Sequence, residues 1–309
     1  MRPWLPVVHM LPALLIAGSV ICCFAASSHA EGVTAPGAKL ELISAEFKFT
    51  EGPASDVEGN VYFTDQPNDR IMRYGVDGKM TTFMQPCGRS NGLCFDNQGN
   101  LIACADEKNE LWSIDVKTKK VTVLVRDNQG KRLNGPNDVW VRPDGGMYLT
   151  DPLYPRDYWH RTAKSEQPVH GVYYFDPKSS GLKLVAHDLT QPNGIIGTPD
   201  GKTLYASDID KTKIWAWAIQ PDGSLADKRF FADARSDGMT IDAEGNVYVT
   251  NNKDVTVFDK AGKEIERIVV EGKTPSNICF GGKDMHTLFI TAKDGFYAIR
   301  MRVKGAGSQ

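Results

Sequence analysis

The sequence predicts an all-β chain, a six-bladed β-propeller whose last blade is closed by a strand from the N-terminal side. Three observations carry this. First, one phrase recurs: an acid or amide, an apolar run, a tight polar turn, then a second apolar run. Its third occurrence runs from Asn137-Asp138-Val139 through Pro143-Asp144-Gly145-Gly146 to Met147-Tyr148-Leu149-Thr150-Asp151, and reads as strand, turn, strand. Second, the phrases open at Glu51, Asn91, Asn137, Asn193, Asp237 and Asn277, separated by 40, 46, 56, 44 and 40 residues. Periods of about 40–50 residues with four short strands per unit signal propeller blades. Third, the last unit supplies only the strands 277–281, 287–292 and 295–302, while Leu40-Glu41-Leu42-Ile43-Ser44-Ala45-Glu46-Phe47 is a strand without a neighbour. Pairing these two leftovers closes the ring and removes a sheet edge.

The chain divides in order. Residues 1–30 carry Arg2, an uncharged apolar run from Leu11 to Ala26 and the ending Ser28-His29-Ala30. That is the pattern of a secretory signal peptide, so export to the periplasm or the medium is expected, with no stable membrane association after cleavage. Removing it leaves 35 basic and 38 acidic residues, a net charge of −3, and four of the six cysteines. The balance, without a cluster of Lys and Arg, excludes a nucleic-acid partner. Cys87, Cys94, Cys104 and Cys279 lack the C-x-x-C spacing of zinc or redox sites; a Cys87–Cys94 disulfide stays open. Residues 31–39 read as a linker, 40–304 as the propeller and 305–309 as a tail.

The first five units hold four strands each, with Glu110–Val116 and Lys120–Arg126 as the outer pair of the second. The third unit is the irregular one. Between Asp151 and Gly171 it carries Pro152-Leu153-Tyr154-Pro155-Arg156-Asp157-Tyr158-Trp159-His160-Arg161, too aromatic for a solvated linker. Long insertions in rigid β scaffolds usually serve function. This one follows a second strand, so it emerges at the same end as the opening residues and is expected to form a lid.

In a propeller the first strand of every blade lines the central channel, so the six opening residues converge into one ring. Glu51 and Asp237, with the amide carbonyls of Asn137 and Asn193, make an all-oxygen set suited to a hard divalent cation such as calcium. No histidine stands among the six, which speaks against a zinc site of several imidazoles. In Ser236-Asp237-Gly238-Met239 the glycine is expected to let the backbone turn sharply into the channel strand.

The stretches Glu51-Gly52-Pro53, Asn134-Gly135-Pro136-Asn137-Asp138, Gln191-Pro192-Asn193-Gly194, Ser236-Asp237-Gly238-Met239 and Phe280-Gly281-Gly282 resemble the family of gluconolactonase, senescence marker protein 30 and luciferin-regenerating enzyme. Thr150-Asp151-Pro152-Leu153-Tyr154 is similar to its bacterial gluconolactonase branch. The resemblance spans essentially the whole chain after residue 30. It implies a propeller with one catalytic divalent metal at the channel mouth, calcium foremost, with zinc, magnesium or manganese as alternatives. It further implies ligands Glu51, Asn193 and Asp237, Asn137 as fourth ligand or substrate contact, and Asp237 as general base. Asn91, Asn137, Tyr154, His160 and Arg161 are the candidate substrate contacts.

The expected function is metal-dependent opening of a sugar lactone. A lactone is an activated ester, so a cation on the carbonyl and a carboxylate that takes a proton from water suffice; no G-x-S-x-G elbow occurs in the chain. The alternatives are a non-catalytic propeller that binds a sugar or protein, and a metal-dependent hydrolase of other esters. Oligomeric state is left open.

Overall fold

The computed structural model describes residues 1–5 and 32–307; the expected signal segment, bar its first five residues, lies outside the described residues. Residues 32–307 form six antiparallel four-stranded sheets. The first blade is Thr50–Ser55, Val61–Asp65, Arg70–Tyr74 and Met80–Met84. The second is Ser90–Phe95, Leu101–Ala105, Glu110–Ile114 and Val121–Val125, and the third Val139–Val141, Met147–Asp151, Gly171–Asp176 and Gly181–Ala186. The fourth is Pro192–Gly197, Thr203–Asp208, Lys213–Ile219 and Leu225–Ala232, the fifth Met239–Ile241, Val247–Thr250, Asp254–Phe258 and Glu264–Val269.

The sixth blade is Pro275–Gly281, Thr287–Ala292 and Gly295–Arg300, completed by Glu41–Ser44. Glu41 faces Ala298 and Leu42 faces Tyr297, antiparallel, before a bulge. The closing strand is therefore real, though shorter than 40–48. Residues 32–39, expected as a linker, are held against the sheets: Val33 is buried, Val33 N–H donates to Glu266 Oε2 at 2.5 Å, and Thr34 bridges Met301. The tail is held too, since Ala306 N–H donates to the Ile241 carbonyl at 3.1 Å.

The core lies between the blades. Each of six apolar clusters joins neighbouring sheets, from Tyr62, Phe83, Leu93 and Phe95 between the first and second to Phe63, Phe289 and Phe296 between the sixth and first. Wedge-like stacking of this kind leaves the inner strands free to line a channel. All four described cysteines are free thiols, and burial pushes Cys87 and Cys94 up to about 12.

Candidate functional site at the channel mouth

The ladder is irregular at or beside the six opening residues, although Glu51 still faces Thr64 and Asn277 faces Thr291. Register shifts fall between Glu51 and Ala54, Ser90 and Leu93, Pro192 and Ile195, and Pro275 and Asn277. In the third and fifth blades the strand begins only at Val139 and Met239, two residues after Asn137 and Asp237. A broken ladder re-aims side chains; here it turns the opening residues toward the channel. Hydroxyls on the second strands take up the freed backbone groups. Asp237 and Gly238 N–H donate to Thr250 Oγ1 at 3.1 and 2.9 Å, and Asn277 N–H donates to Thr291 Oγ1 at 3.0 Å.

The glycines that follow explain how tightly the ring closes. A Cβ on Gly52, at φ +50°, would lie 2.2 Å from the Asn91 carbonyl oxygen, and one on Gly238 would lie 2.0 Å from the Asn277 amide. Gly238 is absent from the left-handed positions. Its absence of a side chain makes room for the next blade's amide rather than turning the backbone sharply.

Glu51 is 4 % exposed; its Oε2 accepts from Gly52 N–H at 2.6 Å and from Asn277 Nδ2 at 3.2 Å. Asn277 Oδ1 accepts from Ile278 N–H at 2.8 Å, so this amide presents its NH2 to Glu51 and orients it. Asn193 is buried and donates from Nδ2 to the Tyr154 hydroxyl at 3.1 Å, while its Oδ1 has no partner; Asn91 Oδ1 is buried and equally unpartnered. Asp237 is half-buried beside Asn193. Asn137 is buried, and its carbonyl accepts from Gly92 N–H at 2.8 Å.

One carboxylate joins this set that sequence reasoning passed over. Asp138 is 5 % exposed, its Oδ1 accepts from Val139 N–H at 3.0 Å, and it borders a cavity of about 130 Å³ further down the channel, lined by Phe95, Trp140, Met239 and Phe280 as well as Thr240 and Asn277. The signal was its place directly after Asn137. Burial, then mutual repulsion with Asp237 and Asp138, holds the Glu51 carboxyl well above the usual carboxylate range. Burial raises Asp237 to about 6 and Asp138 to about 7.

Among the described residues no three His, Cys, Asp or Glu side chains form a metal-binding group; the remaining oxygens here are amides. Repelling carboxylates beside the unpartnered Asn193 oxygen are nevertheless a donor set that a hard cation fits.

The insertion spans neighbouring blades. Gln191 Nε2 donates to the Leu153 carbonyl at 3.3 Å, so its start leans on the fourth blade through this contact and the Tyr154–Asn193 bond. Its middle leans on the second: Arg156 Nε and Tyr158 OH donate to Asp106 Oδ2 at 3.0 and 2.5 Å, and Trp159 Nε1 to the Asp106 carbonyl at 2.9 Å. His160 is exposed. Arg161 stacks on Trp159 at 3.7 Å and donates to Asn109 Oδ1 at 2.8 Å and the Asn134 carbonyl at 2.6 Å. Arg156 lies over Tyr154, its guanidinium 5.6 Å from the centre of the aromatic ring whose hydroxyl meets Asn193.

Residues 49–294 match the model of the SMP-30/Gluconolactonase/LRE-like region. The chain belongs to this family. A gluconolactonase of Zymomonas mobilis is 27 % identical over 294 residues, covering 86 % of this chain and 82 % of that protein. The solved structure of a Xanthomonas campestris gluconolactonase, described as important in glucose secondary metabolic pathways, superposes with a TM-score of 0.79 at 28 % identity, covering 87 % of this chain and 91 % of that one. Diisopropyl-fluorophosphatase of Loligo vulgaris is 25 % identical over 270 residues, covering 78 % of this chain and 84 % of that protein. Family members named for lactone hydrolysis support a hydrolase role for this chain.

Proposed function

We propose that the protein is an exported, metal-dependent lactonase that opens a sugar lactone to its aldonic acid. The observation that carries this reading is the pairing of a buried Glu51 carboxylate, repelled by Asp237, with the unpartnered amide oxygen of Asn193 at one channel mouth. Glu51, Asn193 and Asp237 would hold a divalent cation, calcium foremost, with Asn137 as a further ligand or a substrate contact. The chemistry it supplies when bound is polarisation of a carbonyl oxygen. Asp237, half-buried, would be reached by the attacking water. Its carboxylate takes a proton as the water oxygen adds to the lactone carbonyl carbon; the ring C–O bond then breaks, and the departing oxygen takes up a proton to leave a hydroxy acid. Glu51, oriented by Asn277, keeps the negative charge fixed. The unpartnered Asn91 oxygen and the Tyr154 hydroxyl would meet substrate hydroxyls.

The test is acid release from D-glucono-1,5-lactone, read against spontaneous opening. Turnover is expected to vanish with a chelator and return with calcium. Rates equal to the uncatalysed control across sugar lactones, simple esters and a fluorophosphate, with cation present, contradict the reading and favour a binding propeller. Export is checked by mass spectrometry of the mature protein, whose N-terminus is expected at Glu31.

A further inference from the structure

The second strands of the first, third and fourth blades end in an aspartate with one job in common, and Asp65 alone of the three adds bonds from Asn68 and Arg70 to its Oδ2, at 2.7 and 2.9 Å. Asp65 Oδ1 accepts from Lys48 and Phe49 N–H at 3.0 and 3.3 Å, Asp151 from Asn134 and Gly135 N–H at 2.9 and 2.8 Å, and Asp208 from Thr190 and Gln191 N–H at 2.9 and 3.1 Å. Each caps the loop that enters its own inner strand. Asp106 holds the same place in the second blade. There the loop's Cys87 and Arg89 N–H groups donate instead to Asp69 Oδ1, at 3.0 and 2.7 Å. Asp106 is thereby released, and it is 3 % exposed with its Oδ2 given to Arg156 and Tyr158 of the insertion.

Arg156 is fixed on a second side. Its guanidinium lies 5.6 Å from the centre of the Tyr154 ring, and Tyr154 in turn accepts from Asn193 of the ring. Asp106 engages only Nε. A guanidinium held through Nε keeps the N–H groups of both terminal nitrogens as a planar fork of donors. Three-quarters of the Arg156 side chain is covered, so the fork is positioned rather than wandering in solvent.

We propose that Arg156, aimed by Asp106, is the substrate-orienting residue of this site and donates hydrogen bonds to the hydroxyl oxygens of a polyhydroxylated six-membered lactone. Arg156 would touch substrate; Asp106 is a positioning residue acting through it. This rests on the lactonase reading and names what selects its substrate.

The experiment compares D-glucono-1,5-lactone with δ-valerolactone, the same ring without hydroxyls, in wild type, Arg156→Lys, Asp106→Ala and the double variant. Lysine keeps the charge and loses the fork. Arg156→Lys is expected to raise KM for the sugar lactone about tenfold, the scale of a lost charge-assisted hydrogen bond, with a smaller change in kcat. The preference in kcat/KM for the sugar lactone over δ-valerolactone falls by about the same factor. Asp106→Ala produces a similar fall, and the double variant no more than the larger single one, as for residues acting as a unit. An unchanged preference in Arg156→Lys overturns the proposal, whether both lactones suffer equally or neither does; so do additive losses in the double variant. Should Asp106→Ala not fold, the Arg156→Lys preference alone decides. A wild type that opens neither lactone removes the lactonase reading instead. Calorimetric titration with gluconate then decides for Arg156: binding about tenfold weaker in Arg156→Lys supports it, and equal binding, or none by wild type, contradicts it.

Discussion

Asp208 in the fourth blade and Asp106 in the second occupy the same place and do different work. Asp208 spends its carboxylate on two backbone N–H groups of its own entry loop, while Asp106 spends it on side chains of an insertion from the next blade. The second blade also carries Ala105 where the others have Thr64, Thr150, Ser207, Thr250 and Thr291. A repeat fold places equivalent side chains at one rim. Relieving one copy of its structural duty leaves a pre-positioned carboxylate, with its burial already settled, to organise a functional loop. Fold and site thus share one set of positions, and divergence of a single repeat separates them.

The two aspartates are expected to differ most in what they contribute to stability. Asp208→Ala leaves two loop N–H groups without their charged acceptor, and is expected to cost about 3 kcal/mol in denaturant unfolding. An unchanged midpoint would show that the loop finds other partners and that the cap is ornamental. Asp106→Ala is expected to cost less, about 1 kcal/mol, because the insertion can turn Arg156 and Tyr158 to water. Its signature is local: faster amide exchange over residues 154–161, with the inner strand at 90–95 unaffected. Equal losses for the two variants would erase the distinction drawn between them.

The smallest effect concerns the carboxylates of the channel mouth. Glu51, Asp237 and Asp138 are raised in the folded protein, chiefly by burial, Asp237 to about 6 and Asp138 to about 7. A raised carboxyl binds its proton more tightly folded than unfolded. Its stabilising contribution is therefore full below the unfolded value near ~4 and is lost as pH rises through the folded value. Cation-free protein should melt at a lower temperature at pH 8 than at pH 5, and calcium should narrow the gap by occupying the ring. A melting temperature that rises across this interval, or a gap that calcium leaves untouched, would contradict the electrostatics of the mouth.

Much of this was legible in the sequence, for a physical reason. A propeller repeats one strand-turn-strand phrase, so the register of Glu51, Asn91, Asn137, Asn193, Asp237 and Asn277 could be counted along the chain, and an unpaired strand at one end implied a gap at the other. The repeating Thr/Ser–Asp at the ends of the second strands was on view as well. Its meaning was not, because a cap is defined by which N–H it meets. Asp138 was hidden behind Asn137, since the phrase drew attention to the first polar residue of each unit. The insertion has no period at all. Where Arg156 and Arg161 sit is decided by Asp106, Asn109 and the Asn134 carbonyl, contacts that local sequence does not encode.

In the proposed mechanism Asp237 works on the water that opens a lactone while also serving the cation. Asp237→Asn keeps the shape and one carbonyl oxygen and removes the base and a negative charge. With calcium in excess and occupancy confirmed by metal analysis, kcat for D-glucono-1,5-lactone, corrected for spontaneous opening, should fall by about two orders of magnitude or more, with KM changing far less. A fully occupied Asp237→Asn protein that turns over at the wild-type rate would contradict the account.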